Sequence, residues 1–489
     1  MRHNSFICAI AIAAAIFTGT ACQKVGDLAA NFPMLDSNLS TKITDGQTLQ
    51  LPVYFLEYAG KPITGTVECN NPDYPVSFAA GSGNSGTLTV SAPALILDAT
   101  PVSVTLTLKD ESNSRTSISN ITINPVISGR YTNITAPANT YIVVPGAVVD
   151  FPTNIGISSQ AASYDSFELV WQDTQSLVSQ IMSSGNGKAR VMFTVGKEGN
   201  ALFAAKKGGE VVWSWLFWVT AAPQSLVSWT DPDGKTFQVM DRNLGAFGNT
   251  PGQAATNGLY FQWGRKDPLP SSDVSNTVKP IYDIANSPVS IAHVDVDKAD
   301  MVDTAIKNPA AFIGSTGNNP GNWSWMTNAA LETDYNVVGD YWGGLSGKKT
   351  NYDPCPAGYK VASTEALGFV IIADYAKTRL FNAAVETPAA KDQIGMEIAL
   401  GGSKIFFPSQ GDYSASAGNF EYGVGSTFPY LGFWTANFNP QFESTGSKNY
   451  FQGMSIRTGA NAKADATSSY TKFSGLTLSY GLPVRCVKE

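Results

Sequence analysis

The feature that most constrains the fold of this chain is the alternation of apolar and polar side chains in short segments between about residues 41 and 222. Residues 102–108 read VSVTLTL, and residues 117–123 read SISNITI. A period of two places one set of side chains against a core and the other in water, as in a half-buried β-strand. The valines, isoleucines and threonines of these segments also favour strands. We therefore predict a mainly β architecture for this part of the chain.

Glycine-rich and polar turns, such as GSGNSG at 81–86, separate these segments at short intervals. About 85 residues of short strands broken by such turns are typical of an immunoglobulin-like β-sandwich. We predict one sandwich over 41–126 and a second over 127–222. The Cys–Trp–Cys signature of antibody domains is absent, so the predicted likeness is one of architecture.

The last segment of the second sandwich, VVWSWLFWVT at 211–220, is almost wholly apolar. On a strand, Trp213 and Trp215 share one face and Trp218 takes the other. Such a strand could present an aromatic platform to a sugar, or it could be buried between sheets or against the next domain. Burial is the favoured interpretation because nearly every residue is apolar. A linker at 221–224 and a change of composition after it predict a separate C-terminal domain over 225–489.

The N-terminus carries a basic start, an apolar run over 6–17, and then Gly19, Thr20, Ala21 and Cys22. These are the marks of a secretory signal, here residues 1–21, and the run is too short to cross ~30 Å of hydrocarbon. Small residues before a cysteine resemble the lipobox of bacterial lipoproteins. The resemblance implies cleavage before Cys22 and a diacylglycerol on its thiol. The polar, weakly periodic stretch that follows predicts a tether over 22–40.

Charge and residue usage argue against several classes of function. The formal net charge is −7 and no basic stripe is present, so a nucleic-acid partner is not expected. His293 is the one histidine of the sequence beyond the signal, which leaves little for a histidine-based metal site or catalytic triad. Cys69, Cys355 and Cys486 remain besides Cys22, and an odd number allows at most one pair within the chain.

Three motifs give the region 225–489 a resemblance to a known family. They are VMDRNLGA at 239–246, GLYFQWGRKDP at 258–268, and a split motif with DPCPAGYKV at 353–361 and LPVRCV at 482–487. Together they resemble the Fibrobacter succinogenes major paralogous domain of Bacteroidetes and Fibrobacteres surface proteins. That module is in turn similar to the C-type lectin fold, which the formylglycine-generating enzymes share. The resemblance implies an α+β lectin-like domain with a disulfide between Cys355 and Cys486.

The same resemblance bears on activity. Formylglycine-generating enzymes need a pair of active-site cysteines, whereas the two cysteines of this module are better assigned to the structural bond. Sugar-binding C-type lectins carry a Glu-Pro-Asn or Gln-Pro-Asp triplet and a Trp-Asn-Asp triplet, and none of these occurs. The stretch from Trp434 to Asn437 lies near the expected place of the last triplet but lacks its carboxylate. We therefore expect no catalysis, no cofactor and no bound metal.

Two sets of residues in the module are candidates for a role. The polar motif residues could bind a ligand, but a structural clamp is favoured for them; they are Asp241, Arg242, Asn243, Trp263, Arg265 and Asp267. Most aromatic residues of the module are expected in its core, and a minority are expected to stack on a sugar. The candidates for ligand binding are Trp323, Trp325, Tyr341, Trp342, Trp434 and Asn437.

A lipid anchor, two sandwiches and a lectin-like module together resemble fimbria-associated or tip-like adhesins of Bacteroidetes. The expected function is non-enzymatic display of the module at the outer membrane, on the cell surface, for adhesion or for pilus and envelope assembly. Its partner would be a glycan, a host or matrix protein, or a pilus or envelope subunit. The alternative is an accessory glycan-binding lipoprotein of a polysaccharide-uptake system. An enzyme on the formylglycine-generating fold is less favoured.

Overall fold

The chain is a multidomain, mainly β protein, as the alternation predicts. The computed structural model describes residues 33–34, 39–55, 63–81, 85–110, 115–185, 187–222, 224–251, 253–273, 277–296, 301–315, 325, 339–372, 379–381, 395–400, 402–415, 418–421, 431–439, 452–458 and 472–489. The chain divides into two compact units, 1–131 and 132–489. Within the described ranges, the helices are all too short or too polar to cross a membrane.

The first unit is an immunoglobulin-like sandwich of two four-stranded sheets, with strand orders β1-β3-β6-β5 and β2-β8-β7-β4. Its strands are β1 Pro33–Met34, β2 Ser40–Ile43, β3 Thr48–Phe55, β4 Ile63–Cys69, β5 Val76–Ala80, β6 Ser85–Ser91, β7 Val102–Asp110 and β8 Arg115–Pro125. Strand β2 runs parallel to β8, and the other pairs are antiparallel. These orders correspond to strands A-B-E-D and A′-G-F-C of the immunoglobulin fold.

The predicted alternation is visible in the burial of β7. Val102, Val104, Leu106 and Leu108 are at most 2% exposed, and the hydroxyl side chains between them face outward. They pack against Ile121 and other apolar side chains from both sheets. Burying each such side chain contributes roughly 1.5–3 kcal/mol, which is enough to fix the register of the strand.

The second sandwich has the same topology, with strand orders β9-β11-β14-β13 and β10-β16-β15-β12, and β10 is parallel to β16. Its strands are β9 Tyr131–Asn133, β10 Thr140–Val143, β11 Val148–Pro152, β12 Ser166–Gln172, β13 Val178–Gly185, β14 Lys188–Phe193, β15 Gly199–Lys207 and β16 Glu210–Val219. The border between the compact units at 131/132 lies close to the predicted one at 126/127. Both predicted sandwiches are therefore present.

The described part of the C-terminal region is built from several small sheets and two short helices. Its elements are β17 Leu226–Thr230, β18 Thr236–Met240, a 3-10 turn Ala254–Thr256, β19 Tyr260–Gln262, β20 Ile281–Tyr282, β21 Pro288–Val289, β22 Ala292–Val296, α1 Met301–Lys307, β23 Ala311–Ser315, β24 Tyr359–Val361, α2 Phe369–Ile372, β25 Arg379–Phe381, β26 Gly395–Leu400, β27 Ser403–Pro408, β28 Asp412–Tyr413, β29 Phe420–Glu421, β30 Leu431–Asn439, β31 Gln452–Thr458, β32 Lys472–Thr477, β33 Gly481–Pro483 and β34 Cys486–Lys488. The last strand, β34, lies between β18 and β24.

The sequence STEALGFVIIADYA at 363–376 predicts a helix with Ser363 as its N-terminal cap, but the helix in the structure is shorter. Residues 364–368 form turns, only α2 is helical, and 373–378 lie outside the described residues. Ser363 does accept a hydrogen bond from the backbone N–H of Ala366, as a helix cap would. The carbonyl of Ala366, however, accepts a bond from the indole of Trp229 at 2.7 Å, and Gly368 is a weak helix former. Both effects favour turns over a regular helix at its predicted start.

Strand β16 belongs to two cores at once. Trp213 and Trp215 pack inside the second sandwich, whereas Leu216 and Trp218 pack against the C-terminal region in a cluster that includes Trp263. The favoured interpretation, a strand buried on both faces, is therefore confirmed. Strand β20 also extends the sheet of the second sandwich by pairing with β12.

The predicted border at 222–225 does not separate two compact units, since 132–489 is one. The physical reason is that the outer face of the sheet formed by β12, β15 and β16 is apolar and packs against the C-terminal region. Trp171, Leu202, Leu216 and Trp218 are at most 1% exposed there, and they belong to the same cluster as the C-terminal region. An apolar sheet face of this size needs a cover, and the C-terminal region supplies it.

Candidate functional site

The Asp241–Arg242–Asn243 motif lies in the interior at the end of β18. Arg242 donates two hydrogen bonds to the carboxylate of Asp241, at 2.8 and 3.0 Å. Arg485 donates from Nε and Nη2 to Oδ1 of Asn243, at 3.0 and 2.8 Å, and so ties the motif to the chain just before β34. All four side chains are at most 5% exposed. This burial favours the clamp over the ligand-binding interpretation.

Arg485 is a clamp residue that the sequence reasoning did not single out, although it lies inside the LPVRCV motif. Its guanidinium also donates to the carbonyl of Phe406 at 2.8 Å and lies 3.9 Å from the ring centre of Phe407. Burial lowers its pKa to about 9, so the group is still charged at neutral pH. A buried charge of this kind is tolerated because its donors are occupied.

The GLYFQWGRKDP motif at 258–268, the second of the three motifs, bonds the C-terminal region to β16. Lys266 and Asp267 form a buried ion pair at 2.7 Å, and the hydroxyl of Ser214 donates to the same carboxylate at 2.6 Å. Burial lowers the pKa of Lys266, and the charge of Asp267 opposes that shift. Arg265 donates to Oε1 of Gln262 and to the carbonyl of Ala311, both at 2.7 Å. Asp267 therefore pairs with a neighbouring cation, which favours the structural interpretation of this motif.

Three tryptophans that were candidates for ligand binding are core residues instead. Trp325, Trp342 and Trp434 are at most 2% exposed. Their indole N–H groups donate to the carbonyls of Trp263, Arg265 and Phe261, at 2.7, 3.2 and 2.8 Å. An indole can be buried completely once its N–H has such a partner, so these rings fasten the second motif and are closed to a ligand. Trp323 lies outside the described residues.

Two of the candidate residues remain half-buried. Oδ1 of Asn437 accepts the backbone N–H of Thr364 at 2.7 Å, so this side chain supports the turn before α2. Tyr341 lies beside Tyr352, with ring centres 4.7 Å apart and planes inclined by 48°. Tyr352 also contacts Trp213, at 6.1 Å. Of the described ligand candidates, Tyr341 is thus the aromatic residue that is not fully buried.

The two tyrosines are neutral hydrogen-bonding groups at physiological pH. Burial raises the pKa of Tyr341 to about 12, and nearby Tyr352 adds to that shift. Burial also raises the pKa of Tyr352. Tyr352 was missed by the sequence reasoning, and no periodicity in the sequence links it to Tyr341. We take this pair as the candidate site.

A buried lysine fixes the segment that carries the pair. Nζ of Lys349 donates to Oδ1 of Asp353 at 2.8 Å and to the carbonyls of Cys355 and Tyr359, both at 2.7 Å. The carboxylate of Asp353 in turn accepts the backbone N–H groups of Cys355 and Val361, at 2.8 and 2.9 Å. All three ammonium donors are therefore satisfied in the interior.

A disulfide and an asparagine hold the same segment from two further sides. Cys355 and Cys486 are bonded, with Cα atoms 5.9 Å apart, which confirms the predicted pair, and Cys69 is a free thiol. Nδ2 of Asn139, from the second sandwich, donates to the carbonyls of Asn351 and Asp353 at 2.7 and 2.8 Å. The lipidation candidate Cys22 lies outside the described residues.

The described part of the chain contains no group of three or more histidine, cysteine or acidic side chains that could hold a metal ion. His293 lies in β22 and packs its ring against Phe312. The chemistry available at the candidate site is therefore that of two neutral aromatic side chains and their hydroxyl groups.

Comparisons with known proteins identify no family. No protein-family model matches the chain, and no curated protein matches it. Among solved structures, it is similar to the endo-fucoidan hydrolase MfFcnA4 of glycoside hydrolase family 107, with 15% identity over 42% of this chain and 30% of that one and a TM-score of 0.22.

Two further solved structures are similar to part of the chain. The human desmocollin-1 ectodomain is 10% identical over 43% of this chain and 45% of its own, with a TM-score of 0.19. An I-band fragment of titin is 14% identical over 43% of this chain and 85% of its own, with a TM-score of 0.17. The chain thus matches less than half the length of the hydrolase and of desmocollin-1. Scores this low carry no argument about function, and the immunoglobulin-like assignment rests on the strand order.

Proposed function

We propose that this chain is a lipoprotein of the outer membrane that displays its C-terminal region on the cell surface for recognition without catalysis. One observation carries the proposal: the charged motif residues are enclosed, whereas an uncharged pair of tyrosines, Tyr341 and Tyr352, is only half-buried. Asp241, Arg242, Lys266 and Asp267 each bind another group of the protein. These buried charges stabilise the fold, so we expect exposed residues to make the contacts with a partner.

The recognition that we propose is adhesion, or docking in a fimbria or another envelope assembly. The partner would be a glycan, a host or matrix protein, or a pilus or envelope subunit. The resemblance of the C-terminal motifs to the Fibrobacter succinogenes major paralogous domain, with its lectin-like fold, supports this function. Loops on a rigid frame are where such folds place their contacts.

The second candidate function is an accessory glycan-binding lipoprotein of a polysaccharide-uptake system. The tyrosine pair favours it, because neutral aromatic rings suit sugars. Neighbouring genes discriminate the two: fimbrillin genes favour the adhesin, and an outer-membrane porin–transporter pair favours uptake. An enzyme on the formylglycine-generating fold is the third interpretation, and release of reducing sugar from a bound glycan would support it.

Replacement of Cys22 tests the anchor on which this proposal depends. Cys22→Ala is expected to move the protein from the membrane fraction to the soluble fraction, because no diacylglycerol can then be attached. Detergent partitioning followed by immunoblotting measures the shift. Cys69→Ala is the matched control and is expected to stay with the membrane. Retention of the Cys22→Ala protein in the membrane at the wild-type level would contradict the anchor.

A further inference from the structure

We propose that the first unit has a mechanical function: it withstands tension between a membrane anchor and the rest of the chain through its parallel strands β2 and β8. The inference rests on the proposed function, since tension requires an anchor before the unit and a partner bound after it. The sandwich lies in the chain between Cys22 and the second compact unit, 132–489. Any pull on 132–489 that Cys22 opposes must therefore pass through this sandwich, wherever in 132–489 the partner binds.

The direction of β2 and β8 decides how such tension acts. The two strands are parallel neighbours over four residue pairs, from Ser40–Thr122 to Ile43–Pro125. A pull from the N-terminus draws β2 backwards along its axis, and a pull from the C-terminus draws β8 forwards along its own. The strands are thus pulled past each other, while the hydrogen bonds between them run across the pull. Bonds loaded in this way must break together, whereas strands drawn apart from one end separate one bond at a time.

Backbone bonds close both ends of the β2–β8 pair. The N–H of Thr122 donates to the carbonyl of Leu39 at 2.9 Å where β2 begins, and the N–H of Val126 donates to the carbonyl of Ile43 at 2.9 Å where β2 ends. Ile43 is 0% exposed, so sliding β2 along β8 would also bring an apolar side chain into water. Strand β1, which precedes β2 and pairs with β3, has two residues. We therefore expect β1 to detach first and β2 to hold.

Two side chains strengthen the β2–β8 pair. Nδ2 of Asn124 donates to the hydroxyl of Ser40 at 2.8 Å and to the carbonyl of Thr41 at 3.2 Å. The carboxylate of Asp45, just after β2, accepts the hydroxyl of Ser128, just after β8, at 2.5 Å. Hydrogen bonds to an ionised group are roughly twice as strong as those between neutral groups. The chain that leaves β8 is thus tied back to the chain that leaves β2.

Force spectroscopy on the full chain, held by handles at its two termini, tests the β2–β8 pair. At constant force, unfolding of the first sandwich is recognised by an extension of up to about 300 Å, the contour length of residues 39–128. Asn124→Ala and Asp45→Ala each remove bonds that oppose the sliding of β2. Each variant is expected to raise the rate of this event about tenfold, which corresponds to about 1.4 kcal/mol removed from the barrier.

Val67→Ala is the matched control. Val67 lies in β4, at the opposite edge of the sheet that contains β2, and packs against the core. The variant should lower the urea concentration at which the first unit unfolds, measured by hydrogen exchange of β7, because a core contact is lost. Its unfolding rate under force should stay within about twofold of the wild-type rate, since β4 remains folded while β2 slides. An equal rise for Val67→Ala and Asp45→Ala, or no rise for either β2–β8 variant, would overturn the inference.

A change in the direction of the pull tests the geometry itself. Strand β7 begins where β8 ends in their antiparallel pair, so handles on Thr100→Cys and Val126→Cys would draw the two apart from that end. Serine at Cys8, Cys22 and Cys69 removes the competing thiols, and the other two cysteines are bonded to each other. We expect the unit to open at a several-fold lower force in this direction. Equal forces in the two directions would refute the inference and leave the proposed function standing, because fractionation of Cys22→Ala tests the anchor separately.

Discussion

A chain cut to residues 225–489 is expected not to fold cooperatively, whereas a chain of 132–489 is expected to do so. The cut removes Trp171, Leu202, Leu216 and Trp218 from the core that the C-terminal region shares with the second sandwich. Each such side chain contributes about 1.5–3 kcal/mol when buried, so the loss approaches the 5–15 kcal/mol of a whole domain. The cut also leaves the Lys266–Asp267 pair without Ser214 and exposes the apolar surface that β16 covered.

Tryptophan fluorescence during urea unfolding measures this difference. All 10 tryptophans of the chain lie in 132–489, so their emission is unaffected by the first unit. The longer fragment should show one sharp transition, and the shorter one should be insoluble or unfold without a transition. A sharp transition in the 225–489 fragment would contradict the shared core and restore the border predicted at 222–225.

Replacement of Asp353 by asparagine is expected to lower the free energy of unfolding of 132–489 by about 3–5 kcal/mol. The change leaves the ammonium of Lys349 buried without an opposite charge. It also places an amide N–H₂ group against a donor, because both carboxylate oxygens accept hydrogen bonds: one from Lys349 and Cys355, the other from Val361. A donor facing a donor in the interior costs more than a lost bond.

The control for Asp353→Asn is a solvent-exposed ion pair with the same N–O distance as the Lys349–Asp353 pair. Lys235 and Glu365 also lie 2.8 Å apart, but their side chains are 58% and 52% exposed. Glu365→Gln should therefore cost less than about 1 kcal/mol. Urea unfolding of the full chain, followed by tryptophan emission, compares the two variants. Equal losses for Asp353→Asn and Glu365→Gln would show that the buried lysine does not depend on its carboxylate.

The sequence was sufficient to predict the two sandwiches, the faces of β16 and the disulfide, because each depends on side-chain periodicity or on a short motif. The period-two alternation gave both sandwiches, and it placed Trp213 and Trp215 on one face of β16 and Trp218 on the other. The cysteine count, together with the resemblance, gave the Cys355–Cys486 bond. These features depend on side-chain periodicity and on short motifs, which the sequence displays directly.

The features that sequence did not predict depend on tertiary contacts. A strand that is apolar on both faces, such as β16, predicts burial but does not reveal what covers it. The predicted border at 222–225 therefore falls within a unit whose two parts share a core. The candidate tryptophans have side chains equally suited to a ligand or a core, and carbonyls distant in sequence decide between the two. Tyr352 lies beside Tyr341 in a segment whose backbone is held by bonds from Lys349 and Asn139, and short-range pattern does not reveal those bonds.

Labelling of intact cells tests most directly whether the C-terminal region is displayed on the surface. Lys348→Cys places a thiol on an exposed residue near the tyrosine pair, and Cys69→Ser removes the free cysteine of the described residues. A membrane-impermeant maleimide should label this protein equally in intact and lysed cells, while a periplasmic control protein is labelled only after lysis. Labelling of the Lys348→Cys protein only after lysis would contradict surface display.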